Sequence, residues 1–329
     1  MARRGAGGPA ALSRVAAKLK KATAEGRYYD AQQMTMTLFY RHRPKKKGAG
    51  DLSTCLGILE EGALAQLEHH QFANGTELGL QLCKAYKEDG IAGDAAAIGR
   101  VKRVLQAFPR AGEPEVVRDS LQGCQRFAGA ALRWARGAPG EPGELRELFR
   151  HINDFLGDFL WAVHDWKGLG LVAPFYITSG SVEKLAGALH KASVKSAAVA
   201  GGGGKPDRDL FVVRAGLEIL EQARSPGELL ARLPMVRALV AAYAALHQGD
   251  MSALDTPLVR YLDFLCQAIE KQSEPLAKLL LREYTPALQK DKRVMKLATL
   301  CTVTLNPSAG GGPPGMAGGF GDIFKALMG

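Results

Sequence analysis

Apolar residues recur along this chain with a period near 3.6. The clearest run is Leu145, Leu148, Phe149, Ile152, Phe155, Leu156, Phe159, Leu160 and Val163, whose steps of three and one trace one face of an α-helix. Glu147, Arg150, Asp154 and Asp158 fall largely on the other face. Strand signals are weak: β-branched runs are few, and no Asn-Gly or Asp-Gly pair sits between alternating apolar residues. The same spacing predicts helices over 11–24, 28–42, 51–70, 73–87, 92–107, 114–136, 142–164, 167–178, 181–195, 207–222, 226–247, 256–271, 275–283 and 288–304. The breaks have local causes. Gly26, Gly90, Gly112 and Gly249 suit C-caps or turns. Ser225-Pro226 reads as an N-cap followed by proline at the first helical position, and Asp255-Thr256-Pro257 makes a similar start.

Many helices of similar length, joined by short turns, predict an all-α fold: an α-solenoid of stacked antiparallel helix hairpins. No strict 34-residue signature recurs, so the array is degenerate and only tetratricopeptide-like. The expected organisation is a disordered N-terminus over 1–10, a single solenoid over 11–305 and a flexible Gly/Pro-rich tail over 306–329. Ala197 to Lys205, with four consecutive glycines, is expected to be a flexible surface loop. The tail carries Phe320, Ile323, Phe324, Leu327 and Met328 at steps of 3, 1, 3 and 1, which suits either a frayed end or a docking peptide.

Charge changes the picture at one end. The net charge is +10, and residues 1–50 account for all of it, with twelve Lys or Arg against Glu25 and Asp30. A basic end on a neutral body points to contact with something acidic. Arg14, Lys18 and Lys21 sit at i, i+4 and i+7 on one helical face, with Leu12, Val15 and Leu19 opposite. Lys45, Lys46 and Lys47 read as a loop insertion. Nucleic acid is the rival partner, but no aromatic residues interleave the stripe and no binding signature accompanies it. Residues 1–24 contain no acid, as in a transit peptide, but lack a long apolar segment. No run of about 18 apolar residues is present, so no membrane-spanning helix is expected.

Candidate chemistry thins out on inspection. The five cysteines are odd in number and form no CxxC, which fits free thiols. GGGGK at 201–205 lacks the spacing and the Ser or Thr of a phosphate loop. Gly310, Gly312 and Gly315 match a dinucleotide fingerprint without its strand and helix. His69 and His70 are adjacent and diverge on a helix. Asp154 and Asp158 lack the histidine partners of a di-iron bundle. No catalytic residue, metal ligand or cofactor site is expected.

The stretch from Arg14 to Tyr40 carries a more specific pattern in Gly26, Tyr28, Tyr29, Asp30, Ala31, Gln33, Met34, Leu38 and Phe39. Further blocks follow in order: Gly62-Ala63-Leu64, Gly75-Thr76-Glu77-Leu78, Ala131-Leu132 with Trp134, and Glu283-Tyr284 with Pro286, Leu288 and Asp291. Together these resemble the Golgi-to-ER traffic protein four family, the solenoid scaffold of the guided entry of tail-anchored proteins (GET) pathway. Arg43-Pro44-Lys45-Lys46-Lys47 departs from the family's continuation after the second helix.

The resemblance implies a cytosolic, non-enzymatic scaffold without cofactors that neither inserts in membranes nor binds nucleic acid. It implies that the N-terminal half, about 11–165, binds the homodimeric ATPase that carries tail-anchored proteins. Arg14, Lys18 and Lys21 would face that ATPase, with Tyr28, Tyr29, Gln33 and Glu77 as further candidates. The C-terminal half, about 166–305, would bind a ubiquitin-like-domain protein and, in some lineages, a larger chaperone subunit. Tyr261, Phe264, Leu265, Leu281 and Tyr284 lie in that region. A generic helical-repeat adaptor of another cytosolic complex, RNA-associated or not, is the alternative.

Overall fold

A computed structural model describes residues 9–44, 52–199, 208–247 and 254–305. In the first helix the side chains of 9–13, 15, 16 and 20 lie outside that description, and with them Leu12 and Val15 of the expected apolar face. Lys45–Lys47 and the tail 306–329 lie outside it too. The described residues are mostly helical, without strands. Two compact units divide the chain, Met1–Val163 and His164–Gly329.

Unit 1 contains α1 (Pro9–Ala24), α2 (Tyr28–His42), α3 (Leu52–Glu68), α4 (Phe72–Asp89), α5 (Ala95–Gln106) and α6 (Pro114–Gly137); α7 (Pro142–His164) closes it. Helices pack on the next and the next but one: α1 on α2 and α3, α2 on α3 and α4, α3 on α4 and α5, and α4 on α6. This is the stacking pattern of an α-solenoid. Gly26 makes the left-handed turn between α1 and α2 at φ 73°, which a side chain would strain. At Gly62 a Cβ would lie 2.5 Å from Thr35 Cγ2, so the glycine lets α2 and α3 approach closely. Leu19, Ala22, Ala31 and Ile58 knit α1, α2 and α3 together, with Met34 and Leu38 packed against them. Deeper in, Tyr86 and Trp134 rings meet at 4.7 Å between centroids, and Arg43 ties the end of α2 to Asp89 of α4 at 3.0 Å.

Unit 2 contains α8 (Leu169–Ser179), α9 (Val182–Val199), α10 (Arg208–Glu221), α11 (Pro226–Leu246), α12 (Pro257–Glu270), α13 (Glu274–Glu283), α14 (Thr285–Leu288) and α15 (Lys292–Thr304). Its helices start where short polar side chains cap them. Ser225 Oγ accepts from Glu228 N at 3.2 Å, Thr256 Oγ1 from Val259 N at 3.4 Å, and Asp291 Oδ1 from Arg293 N at 2.7 Å and Val294 N at 3.0 Å. The centre is α10, which packs against α9, α11, α12 and α15 and buries Val212, Val213, Leu217, Ile219 and Leu220. The last helix thus returns to the centre of this group. Arg293 of α15 meets Glu218 of α10 at 2.6 Å, and the Cys301 thiol donates to the Leu217 carbonyl at 3.8 Å.

Three expectations are corrected. Ala197 to Val199, expected to open a loop, are helical, because α9 runs through them; the rest of the expected loop lies outside the described residues. Alanine favours the helix there, and the glycines start only at Gly201. The helix expected over 288–304 starts at Lys292; Thr285–Leu288 form a separate turn, and the Asp291 side chain caps the new start. Finally, α11 is long and apolar enough to cross a membrane, where none was expected. It also buries Leu229, Leu233, Val236, Leu239 and Tyr243, packs on α9, α10 and α12, and carries Arg232 and Arg237. It is packed along one face within unit 2, with 28% of its apolar window buried.

Candidate functional site

The first candidate face lies on α1. Leu19, Ala22 and Thr23 point inward and are buried, which fixes the rotation of the helix. Arg14, Lys18 and Lys21 are therefore exposed on the outer side. Among the described residues Arg14 and Lys18 enter no ion pair, and Lys21 reaches only Glu25, at 3.9 Å and well exposed. Such a pair holds the cation weakly. The stripe is thus available to an acidic partner.

On α2, Tyr28 and Tyr29 separate into two roles. Tyr28 is half-buried, its ring centroid 5.7 Å from that of His69, and its carbonyl accepts from Gln66 Nε2 at 2.8 Å. It braces α2 against α3. Tyr29 is 68% exposed. Gln33 and Glu77 come together in an open groove of about 420 Å³ between α2 and α4, with Gln32, Met36, Tyr40 and Gln81. Glu77 accepts from Arg126 of α6 at 2.8 Å, across 49 residues of sequence.

A second groove, of about 450 Å³, flanks α1 on the α3 side and is lined by Leu19, Thr23, Glu61, Leu64, Glu68 and His69. Sequence reasoning missed it. The signal was present: Glu61 and Glu68 are seven apart, two turns on one helical face. One helix therefore presents cations outward and borders a groove edged by carboxylates.

In unit 2 the five candidate residues divide. Tyr261 and Leu265 are fully buried, so as direct contacts they are corrected to core. They fall on the inner stripe of α12 with Leu258, Leu262, Cys266 and Ile269, at steps of three and four. Burial also pushes the Tyr261 phenol above its ordinary value. Phe264, one residue off that stripe, is 39% exposed. Its ring lies 6.3 Å from that of Tyr284, which is half-buried, as is Leu281. These three form an apolar surface at the α12–α13 side of the unit. The cysteines are all buried, and desolvation pushes the Cys83 and Cys266 thiols up to about 12.

Helices stacked on their neighbours in this way define the α-solenoid class. The model of the family Golgi to ER traffic protein 4 matches residues 49–304. The chain belongs to that family, and membership supports a role in the GET pathway. Protein GET4 of Arabidopsis thaliana is 22% identical over 329 positions, covering 94% of each chain. The Golgi to ER traffic protein 4 homolog of Homo sapiens is 22% identical over 292 positions, 88% of this chain and 79% of that one. Among solved structures, the crystal structure of C. therm. Get4 superposes with a TM-score of 0.65 at 19% identity, over 97% of this chain and 96% of that chain. That likeness shows the same fold.

Proposed function

We propose that this protein is a non-enzymatic, cytosolic scaffold that links two partners in the delivery of tail-anchored membrane proteins to the ER. Unit 1 receives the homodimeric targeting ATPase on the α1 stripe. Unit 2 receives a ubiquitin-like-domain protein on the surface around Phe264, Leu281 and Tyr284, and in some lineages a larger chaperone subunit joins them. The observation that carries the first half is the exposed, weakly neutralised row of Arg14, Lys18 and Lys21 on a helix whose inner side is locked by Leu19 and Ala22. A rigid row of like charge speeds encounter with an acidic surface and sets orientation. Gln33 and Glu77 extend the same reading into the α2–α4 groove, and exposed Tyr29 is the aromatic candidate beside it.

The test is direct binding of the full chain to the purified ATPase, wild type beside Arg14→Glu/Lys18→Glu. Loss of binding in the double variant, with unchanged helical circular dichroism, is the expected result. Equal binding by the two proteins would remove α1 as the contact. Absence of binding by the wild type would remove the ATPase as the partner.

A further inference from the structure

Two helices that pack together in unit 1 carry opposite charge to spare. On α1, Arg14, Lys18 and Lys21 are exposed. On α3, Glu61 and Glu68 are exposed at the groove that flanks α1, with Leu19, Leu64 and Ala65 lining it between them. Neither glutamate has an ion-pair partner among the described residues. The nearby cations of α5, Arg100 and Arg103, are both taken by the buried Glu60 instead. On α1 only Lys21 is paired, weakly, to Glu25 of its own helix. A row of unmatched cations thus borders a row of unmatched carboxylates.

The two rows have the same length. Arg14 to Lys21 and Glu61 to Glu68 each span two helical turns, about 10.5 Å along the axis. The two helices also run the same way. Gly26 turns the end of α1 into the start of α2, and Tyr28 at that start meets Gln66 and His69 at the end of α3. In a second copy, rotated by half a turn about an axis normal to this edge, α3 therefore runs antiparallel to α1. Arg14 then stands opposite Glu68 and Lys21 opposite Glu61, with Lys18 between them, and the two-fold repeats the set. A wholly acidic surface matches only the cations of this edge, and a wholly basic one only its glutamates. A second copy matches both, in charge, spacing and direction.

We propose that two copies of this chain pair reciprocally through this edge, α1 of each against α3 of the other. All five side chains are exposed, so each ion pair adds little, and the contact has the charged character of a transient one. Self-association therefore belongs to high protein concentration and low salt. On the reading that the α1 stripe receives the targeting ATPase, on which this consequence rests, the second copy and the ATPase exclude each other. The paired form then keeps the stripe covered until the ATPase displaces it.

The test is charge exchange in the full chain, read by sedimentation velocity at high protein concentration in low and moderate salt. One variant carries Glu61→Lys/Glu68→Lys, the other Arg14→Glu/Lys18→Glu/Lys21→Glu. Helical circular dichroism checks that each variant is folded. The wild type is expected to dimerise at low salt, with association about tenfold weaker at moderate salt. Each variant alone is expected to be monomeric, because its two rows now carry like charge. An equimolar mixture is expected to restore a one-to-one pair, since each basic row then meets an acidic one. A wild type that stays monomeric at low salt, a dimer that persists in either variant, or a mixture that fails to pair overturns the proposal. The ATPase takes no part in these readings. A monomeric chain that binds the ATPase through α1 would sink this contact and keep the functional reading; a self-paired chain that binds no ATPase would do the reverse.

Discussion

In unit 1 each helix leans on its neighbours in order, whereas in unit 2 α15 comes back to pack on α10. The first arrangement leaves a helix at its edge, α1, with one side anchored and the other free to carry Arg14, Lys18 and Lys21. The second gathers four helices around α10 and leaves the thinly covered α13 at its margin. The two arrangements suit different contacts. An edge helix with a locked rotation can display a row of charge, and a closed group with a surplus of leucine can offer an apolar edge. Nearest-neighbour stacking also implies that damage at α1 stays local, while damage at α15 spreads through α10.

The sharpest break of that comparison is Val294→Asp, which puts a carboxylate into the fully buried seat of α15 on unit 2. A loss of about 3–5 kcal/mol is expected, with amide protection falling in α10 as well as α15. Loss confined to α15 would deny the closed arrangement. Leu19→Ala removes the buried anchor of α1 and is expected to cost about 2–3 kcal/mol. Hydrogen exchange should rise in α1 and α2 while α4 and α6 keep their protection. Glu60→Ala is smaller, about 1–3 kcal/mol by chemical denaturation, because it strips the buried partner from Arg100, at 3.5 Å, and from exposed Arg103. Pressure from pH bears on both units. Burial keeps the Cys83 and Cys266 thiols protonated up to about 12, whereas a thiol in the unfolded chain ionises near 8.5. Their folded values are raised, so their contribution is present below about pH 8.5 and is lost as pH climbs toward 12. The melting temperature should therefore be lower at pH 10 than at pH 8, and replacing both by alanine should flatten that fall.

The helices were legible because their causes are local. The 3.6 period, Ser225-Pro226, Thr256-Pro257 and Gly26 place most boundaries within a few residues of those observed. Where local causes compete, the sequence misleads. Ala197 to Val199 adjoin a glycine run but prefer the helix, and Asp291 caps a new helix inside a span that reads as continuous. The basic stripe was legible too, since i, i+4 and i+7 fix a face without knowledge of neighbours. Its setting was not. The Glu77–Arg126 pair and the groove shared by Gln33 and Glu77 join residues tens of positions apart, which only packing brings together. In unit 2 the error had another source. Tyr261, Phe264 and Leu265 are all apolar or aromatic, and a step of one residue decides which are core and which are surface.

The salt dependence of ATPase binding tests the central claim most directly. Affinity of the full chain for the purified ATPase would be measured across a range of ionic strength, wild type beside Arg14→Glu/Lys18→Glu. The account predicts tight wild-type binding at low salt that weakens steeply as salt rises, and a variant that binds weakly at every salt concentration. Wild-type affinity that is indifferent to salt, or a variant that matches it throughout, would contradict a charged α1 face as the docking surface.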